Sequence, residues 1–312
     1  MTPIAGDPAT GPLRVGLVGA GPWARLFHAP MVAAHPATEL TAVWARRLSA
    51  ATEVAGMFGA AAHDSFDPFL DEVEAVVFAV PPDVQADLAG RGARAGKALL
   101  LEKPLALDLD AAARLAGVVE DSGVPTQMVL TWRYAPAVRA LLRDVAGTRP
   151  IGGRGWFLTG GMLGGPFATP WRLEQGPLLD LGPHVLDLLE AALGRVVGIR
   201  AHGDAHRWVG LLIEHEAGTT SEASLTAYSR VEPARAGVEV YTADGVLEVA
   251  TVGVSASATT ALVDEFVATA RSRRPHELDV RHGLHLQRLL TTASEDLGRG
   301  RGAPEPPRRA AG

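Results

Sequence analysis

Cysteine is absent from this chain of 312 residues, which excludes disulfides, thiolate metal sites and a cysteine nucleophile. A strong basic balance is also missing. Net charge is −6, and no basic stripe is available to neutralise phosphates, so no nucleic-acid partner is expected. No run approaches the ~18 apolar residues of a membrane span, so no membrane association is expected. Residues 1–12 lack the basic start and apolar segment of a secretory signal, and the cytoplasm is the expected location. No Gly-x-Ser-x-Gly elbow occurs. Asp180, His184 and Asp187 lack a second histidine at ligand spacing, and His282 and His285 lack a nearby glutamate, so no metal site is expected. The chain is 47% hydrophobic and 21% charged, which suits a sizeable core and two domains of ordinary size.

The first half alternates strands and helices. Leu13–Val18, Leu40–Trp44, Ala75–Val80, Ala98–Leu101 and Thr126–Leu130 read as strands. Trp23–Ala34, Leu48–Phe58, Val84–Ala95 and Asp108–Val119 read as helices. The run Ala75 to Val80 is continuously apolar, as a strand buried on both faces requires. This pitch predicts an α/β fold with a doubly wound parallel sheet. After Thr131 the texture changes. Pro136–Val145 and Val185–Leu193 read as helices, and Gly152–Gly165 is rich in glycine. Between Val196 and Val249, short β-type runs are separated by turn signals at Gly203-Asp204, Glu216-Ala217-Gly218 and Ala243-Asp244-Gly245, which suggests an antiparallel or mixed sheet. Leu262–Ala270 and Gly283–Ala293 close the chain as helices. The expected organisation is a flexible N-terminus over 1–12, a dinucleotide-binding domain over 13–130, a substrate and assembly domain over 131–297, and a disordered tail over 298–312.

Several segments point to chemistry. Gly19-Ala20-Gly21-Pro22-Trp23-Ala24 lies between a strand and a helix. Gly19 permits the tight turn, Gly21 lets a pyrophosphate approach the backbone, and Ala24 stands where the helix meets the strand. At the end of the second strand, NAD-selective sites usually carry an acid. Ala45-Arg46-Arg47 stands there instead, and Glu39 lies at the wrong end of that strand. Two guanidinium groups suit a 2′-phosphate, so NADP(H) is favoured over NAD(H). Pro81-Pro82 closes one strand and Glu102-Lys103-Pro104 another, at the rim where open α/β sheets bind ligands. Further on, Asp180-Leu181-Gly182-Pro183-His184 predicts a helix start with Pro183 in the first turn and His184 exposed at its amino end. Histidine can give or take a proton near neutral pH, and Asp180 can orient it or bind a substrate hydroxyl.

Taken in order, these segments resemble the Gfo/Idh/MocA oxidoreductase family. The likeness runs from about Leu13 to Leu290. It includes the glycine turn, His28-Ala29-Pro30, Pro81-Pro82, Ala95-Gly96-Lys97, Glu102-Lys103-Pro104, Trp132-Arg133-Tyr134-Ala135-Pro136, Pro170-Trp171-Arg172 and the Asp180-to-His184 segment. The resemblance implies an N-terminal Rossmann domain and a C-terminal α/β domain with a large open, mostly antiparallel sheet. It implies hydride transfer at a carbonyl or secondary alcohol carbon of a sugar, inositol or related cyclic substrate. Lys103, Asp180 and His184 would be the catalytic group. Gly19, Gly21, Pro22, Trp23, Ala24, Arg46, Arg47, Pro81, Pro82, Gln85, Glu102 and Lys103 would face the cofactor. Trp132, Arg133, Trp171 and Arg172 would join the catalytic group around the substrate. Gln85 departs from the pattern, since many relatives carry histidine there. Some relatives bind nucleotide as sensors or regulators without turnover, and the intact Lys103, Asp180 and His184 argue against that alternative. A sheet covered on one side leaves a face expected to be apolar, and a homodimer or homotetramer through it is expected.

Overall fold

The apolar runs of the first half become the strands of one parallel sheet. In this computed structural model, which describes residues 11–299, β1 (Leu13–Val18) is followed by a π-helical turn (Ala24–His28) that leads into α1 (Ala29–Ala34). Then come β2 (Thr38–Trp44), α2 (Leu48–Gly56), β3 (Ala61–His63), α3 (Phe66–Asp71), β4 (Ala75–Phe78), α4 (Pro82–Arg94), β5 (Ala98–Leu101), α5 (Leu109–Ser122) and β6 (Thr126–Met128). The six strands pair in the order β3-β2-β1-β4-β5-β6, all parallel. The order reverses direction at β1, which is the switch point where such sheets open a ligand crevice. Every residue of β4 and β5 is buried, as continuous apolar runs demand. β3 and α3 are additions to the expected elements: three residues of Ala-Ala-His carry too little β signal to be read.

A 3₁₀ turn (Thr131–Tyr134) and α6 (Pro136–Ala146) follow. The described residues then group into two units, 11–144 with 251–288 and 145–250 with 289–299. The first unit therefore reaches beyond the boundary expected near 130 and takes back α8 (Ala256–Ser272) and the start of α9 (Val280–Arg299). Buried polar groups fix this return. Gln127 donates to the Leu262 carbonyl at 3.0 Å and to the Tyr134 hydroxyl at 2.8 Å. The Val280 backbone donates to the Thr126 hydroxyl at 3.0 Å.

In the second unit, β7 (Pro150–Leu158), α7 (Pro170–Leu193), β8 (Val196–Asp204), β9 (Trp208–His215), β10 (Thr220–Thr226), β11 (Arg235–Thr242) and β12 (Gly245–Val249) build a sheet of order β12-β11-β7-β10-β9-β8. Only the β7–β10 pair is parallel. The glycine-rich stretch thus holds a central strand. A Cβ on Gly155 would stand 2.6 Å from Val185, and one on Gly153 2.8 Å from Leu193. The glycines let α7 lie close against the sheet, and they remove the side-chain alternation by which a strand is recognised.

The opposite face of this sheet is not the apolar one expected. The register places Arg154, Glu239, Glu222, Glu214 and Glu248 on it, alternating with the residues that face α7. Arg154 is ion-paired with Glu239, and the Tyr241 hydroxyl donates to Glu239 at 2.5 Å. Among these charges Trp208, Leu212 and Val246 are about half exposed. Of the expected flexible ends, 1–10 and 300–312 lie outside the described residues, while Gly298 and Arg299 close α9. Among the described residues no helix is long and apolar enough to cross a membrane.

Candidate functional site

In the first unit a cleft of about 510 Å³ opens at the carboxyl ends of β1, β2 and β4, lined by Gly19, Ala20, Gly21, Trp44, Ala45, Arg46, Arg47, Ala50, Ala79, Val80, Pro81 and Val84. The glycine turn is built for close approach. Gly19 has φ 126, and a Cβ there would collide with the Ala79 carbonyl. Gly21 is exposed, and a Cβ on it would meet nothing within 4 Å. Ala24 is fully buried against the strand. Pro22, Trp23, Ala24 and Pro82, expected at the cofactor, are not among the lining residues, whereas Arg46 and Arg47 are, both exposed. No carboxylate lines the cleft. Open backbone at Gly21, two guanidinium groups and no acid fit a phosphorylated dinucleotide.

Arg25 braces the turn from behind. It donates to the Ala20 carbonyl at 3.0 Å and grips Glu53 on α2 with two bonds of 2.6 and 2.7 Å. No local pattern marks this clamp, because its partner lies 28 residues on.

At the next rim position, Glu102 and Lys103 follow β5. Two residues expected to face the cofactor are turned into the protein instead. Gln85 is fully buried. Its amide donates to the carbonyls of Glu102 and Leu105 at 2.8 and 3.2 Å and accepts from the Glu102 backbone at 2.8 Å. It clamps the loop that presents Lys103. The Glu102 carboxylate is buried, accepting from Trp23 Nε1 at 2.6 Å, from His28 at 2.7 Å and from the Lys103 backbone at 3.1 Å. Burial alone would push this carboxyl up. The His28 hydrogen bond, the nearby Lys103 charge and the Trp23 donor outweigh it and hold the group below its ordinary value. Lys103 itself is half-buried. Of the expected substrate residues in this unit, Trp132 is buried and Arg133 pairs with Glu277 at 2.9 Å.

In the second unit, α7 carries Asp180 and His184 one turn apart on the same face. The helix does not begin at Pro183 as expected. It breaks at Gly176, where φ is 72, and resumes at Pro177. A Cβ on Gly176 would strike the Ala205 carbonyl, so the break belongs to this Gly-Pro pair. His184 therefore lies well inside the helix and is buried, not exposed at its end. Its ring centroid is 6.3 Å from that of Phe157. Arg172 donates to Asp180 at 3.1 Å and to the Thr169 hydroxyl at 3.2 Å, and its guanidinium stands 4.5 Å over the Trp171 ring. Arg172 and Trp171 are thus tied to the Asp180 carboxylate. A carboxylate held by a guanidinium and a histidine one turn along is an arrangement able to hold and move a proton. Among the described residues no group of three or more metal-ligating side chains gathers.

A family model described as "Oxidoreductase family, NAD-binding Rossmann fold", that of GFO_IDH_MocA, matches residues 13–129. The chain is 30% identical over 229 residues to UDP-N-acetylglucosamine 3-dehydrogenase of Acidithiobacillus ferrooxidans, covering 72% of this chain and 69% of that one. It is 32% identical over 200 residues to dTDP-3,4-didehydro-2,6-dideoxy-alpha-D-glucose 3-reductase of Streptomyces violaceoruber, covering 60% and 56%. The chain thus spans little more than half of that reductase. The crystal structure of GenD2 from gentamicin A biosynthesis, in complex with NAD, has the same fold: TM-score 0.82, 24% identity, 96% of this chain and 98% of that one.

Proposed function

Because the chain belongs to the Gfo/Idh/MocA oxidoreductase family, we propose that it transfers a hydride between NADP(H) and a carbonyl or secondary alcohol carbon of a sugar, inositol or related cyclic substrate. The observation that carries this reading is the acid-free cleft with Gly21 open and Arg46 and Arg47 at its edge. The backbone at Gly19–Gly21 receives the pyrophosphate, and the two arginines receive a 2′-phosphate. When bound, the nicotinamide supplies or accepts the hydride. Lys103, presented by the loop that Gln85 clamps, polarises the substrate oxygen. His184 exchanges the proton with that oxygen, and Asp180, fixed by Arg172, orients His184 or binds a neighbouring hydroxyl. Assembly as a dimer or tetramer uses the open sheet face of the second unit, where Trp208, Leu212 and Val246 stand among charged side chains, the Arg154–Glu239 pair included.

The test is a screen of NADPH oxidation against keto-sugars, inososes and simple cyclic ketones, with NADP+ reduction measured on the matching alcohols. Turnover with a cyclic polyol or its ketone is the expected result. NADPH binding without turnover on the whole panel would favour a sensor of the same fold.

A further inference from the structure

His28 is buried completely and yet holds only one polar contact. It closes the π-helical turn Ala24–His28, a rare geometry that recurs at functional positions. Its Nε2 lies 2.7 Å from Glu102 Oε1. Its Nδ1 is buried with no hydrogen-bond partner among the described residues. The carboxylate fixes the tautomer, since Nε2 must carry the proton it donates. An apolar side chain would fill this space without an orphaned nitrogen. Trp23 and Phe27 already stack here at 4.4 Å, and the Phe27 ring meets the His28 edge at 4.9 Å. A histidine in an aromatic pocket, orphaned at one nitrogen, is retained for what the other nitrogen does.

What it does is hold Glu102. Oε1 of that carboxylate gathers His28 and Trp23, which follow the glycine turn, and Oε2 accepts from the Lys103 backbone. One buried anion therefore joins the dinucleotide turn to the lysine at the β5 rim. Burial works against its charge, and the His28 donor is the largest of the interactions that oppose burial. We propose that His28 is a positioning residue: through Glu102 it keeps a negative charge beside Lys103 and fixes that lysine relative to the glycine turn. This rests on the reading of Lys103 as the group that meets the substrate oxygen.

The chain offers a test that needs no substrate. Lys97 and Lys103 are its two lysines. The Lys97 ammonium donates to the Val73 carbonyl at 2.8 Å, at the opposite end of β5 from Glu102, and serves as the internal reference. Trace acetylation with acetic anhydride, read by peptide mass spectrometry, gives the Lys103-to-Lys97 labelling ratio. In His28→Leu the carboxyl keeps Trp23 and the Lys103 backbone but loses the donor that opposes burial most, the negative charge beside Lys103 is weakened, and the ratio should rise roughly three- to tenfold. His28→Gln, whose amide can donate to Glu102, should return it to within about twofold. Glu102→Gln keeps the shape, removes the charge, and should match His28→Leu. It also decides the matter if circular dichroism shows His28→Leu unfolded, with His28→Gln then expected to label like the unmutated protein. An unchanged ratio in folded His28→Leu or in Glu102→Gln overturns the proposal. NADPH binding, followed by nicotinamide fluorescence on the same samples, separates the two readings: its absence in the unmutated protein defeats the proposed function and leaves the labelling result standing.

Discussion

Replacing Arg46 by alanine should remove most of a preference for NADP(H). Arg46 and Arg47 lie at the carboxyl end of β2, exposed, on the edge of the cleft. Glu39, near the amino end of that strand, is seven residues from Arg46, or roughly 23 Å at ~3.3 Å per residue. It cannot reach a ribose seated at the arginines. An uncharged 2′-hydroxyl thus finds no acid there, while a 2′-phosphate finds charge-assisted donors worth about 1–3 kcal/mol. That predicts roughly 5- to 150-fold tighter binding of NADPH than of NADH. The low end applies if both guanidinium groups remain fully solvated, because screening at about 0.1 M salt acts over ~10 Å. Fluorescence titration with both cofactors measures the ratio. Arg46→Ala should bring it to within about threefold of unity by weakening NADPH and leaving NADH unchanged. Raising the salt to about 0.5 M should compress it in the unmutated protein and not in the variant. Equal affinities in the unmutated protein, or a variant that loses NADH as well, would refute the assignment of these arginines.

Two glycines should separate stability from binding: Gly176→Ala, with its positive φ and blocked Cβ, should cost about 1–3 kcal/mol and lower Tm by several degrees, whereas Gly21→Ala, with open space around it, should leave Tm unchanged and weaken NADPH at least about tenfold by filling the pyrophosphate approach. Normal NADPH binding by Gly21→Ala would remove the turn from the cofactor site. His184→Asn and Lys103→Met should each lower turnover by roughly 10²–10⁴ while NADPH affinity moves less than about tenfold, with Asp180→Asn between them and the unmutated protein; near-normal rates in both would sink the mechanism. The Glu102 carboxyl is held below its ordinary value of 4.5, so its ionisation stabilises the fold above that pH, and the benefit is lost as pH falls through the lowered value. The stability gap between the unmutated protein and Glu102→Gln should therefore shrink in urea melts taken below about pH 4.5, and a gap that stays constant would contradict the shift. Assembly through the open sheet face of the second unit, where Trp208, Leu212 and Val246 are half exposed, should persist as salt is raised; light scattering that shows a stable monomer at micromolar concentration would exclude it.

How far the sequence reveals this molecule follows from the range of the interactions. The parallel sheet was legible because β4 and β5 are buried on both faces, and burial of that kind writes an unbroken apolar run. The glycine turn and the arginines after β2 were legible because a strand-turn-helix is a local object. The second unit was harder for a physical reason. Its central strand is built on Gly153 and Gly155 so that α7 can approach, and the feature that makes it pack is the absence of the side chains that would announce it. The same ambiguity misplaced the helix that carries His184. Gly-Pro occurs at 176–177 and at 182–183, and only the first breaks the helix, because only Gly176 has the positive φ. At Gly182 a Cβ would stand 2.8 Å from Leu290, so that glycine serves contact, not a turn. Nothing local distinguishes the two. Glu102 shows the limit most clearly. Beside Lys103 it reads as a second polar group on the cofactor rim. Its carboxylate is claimed instead by Trp23 and His28, 79 and 74 residues away, and its backbone by Gln85, 17 residues away. A side chain whose neighbours come from other strands acquires its role only when the sheet has brought them together, which is why Lys103 could be read as a candidate from the sequence and the residues that hold it in place could not.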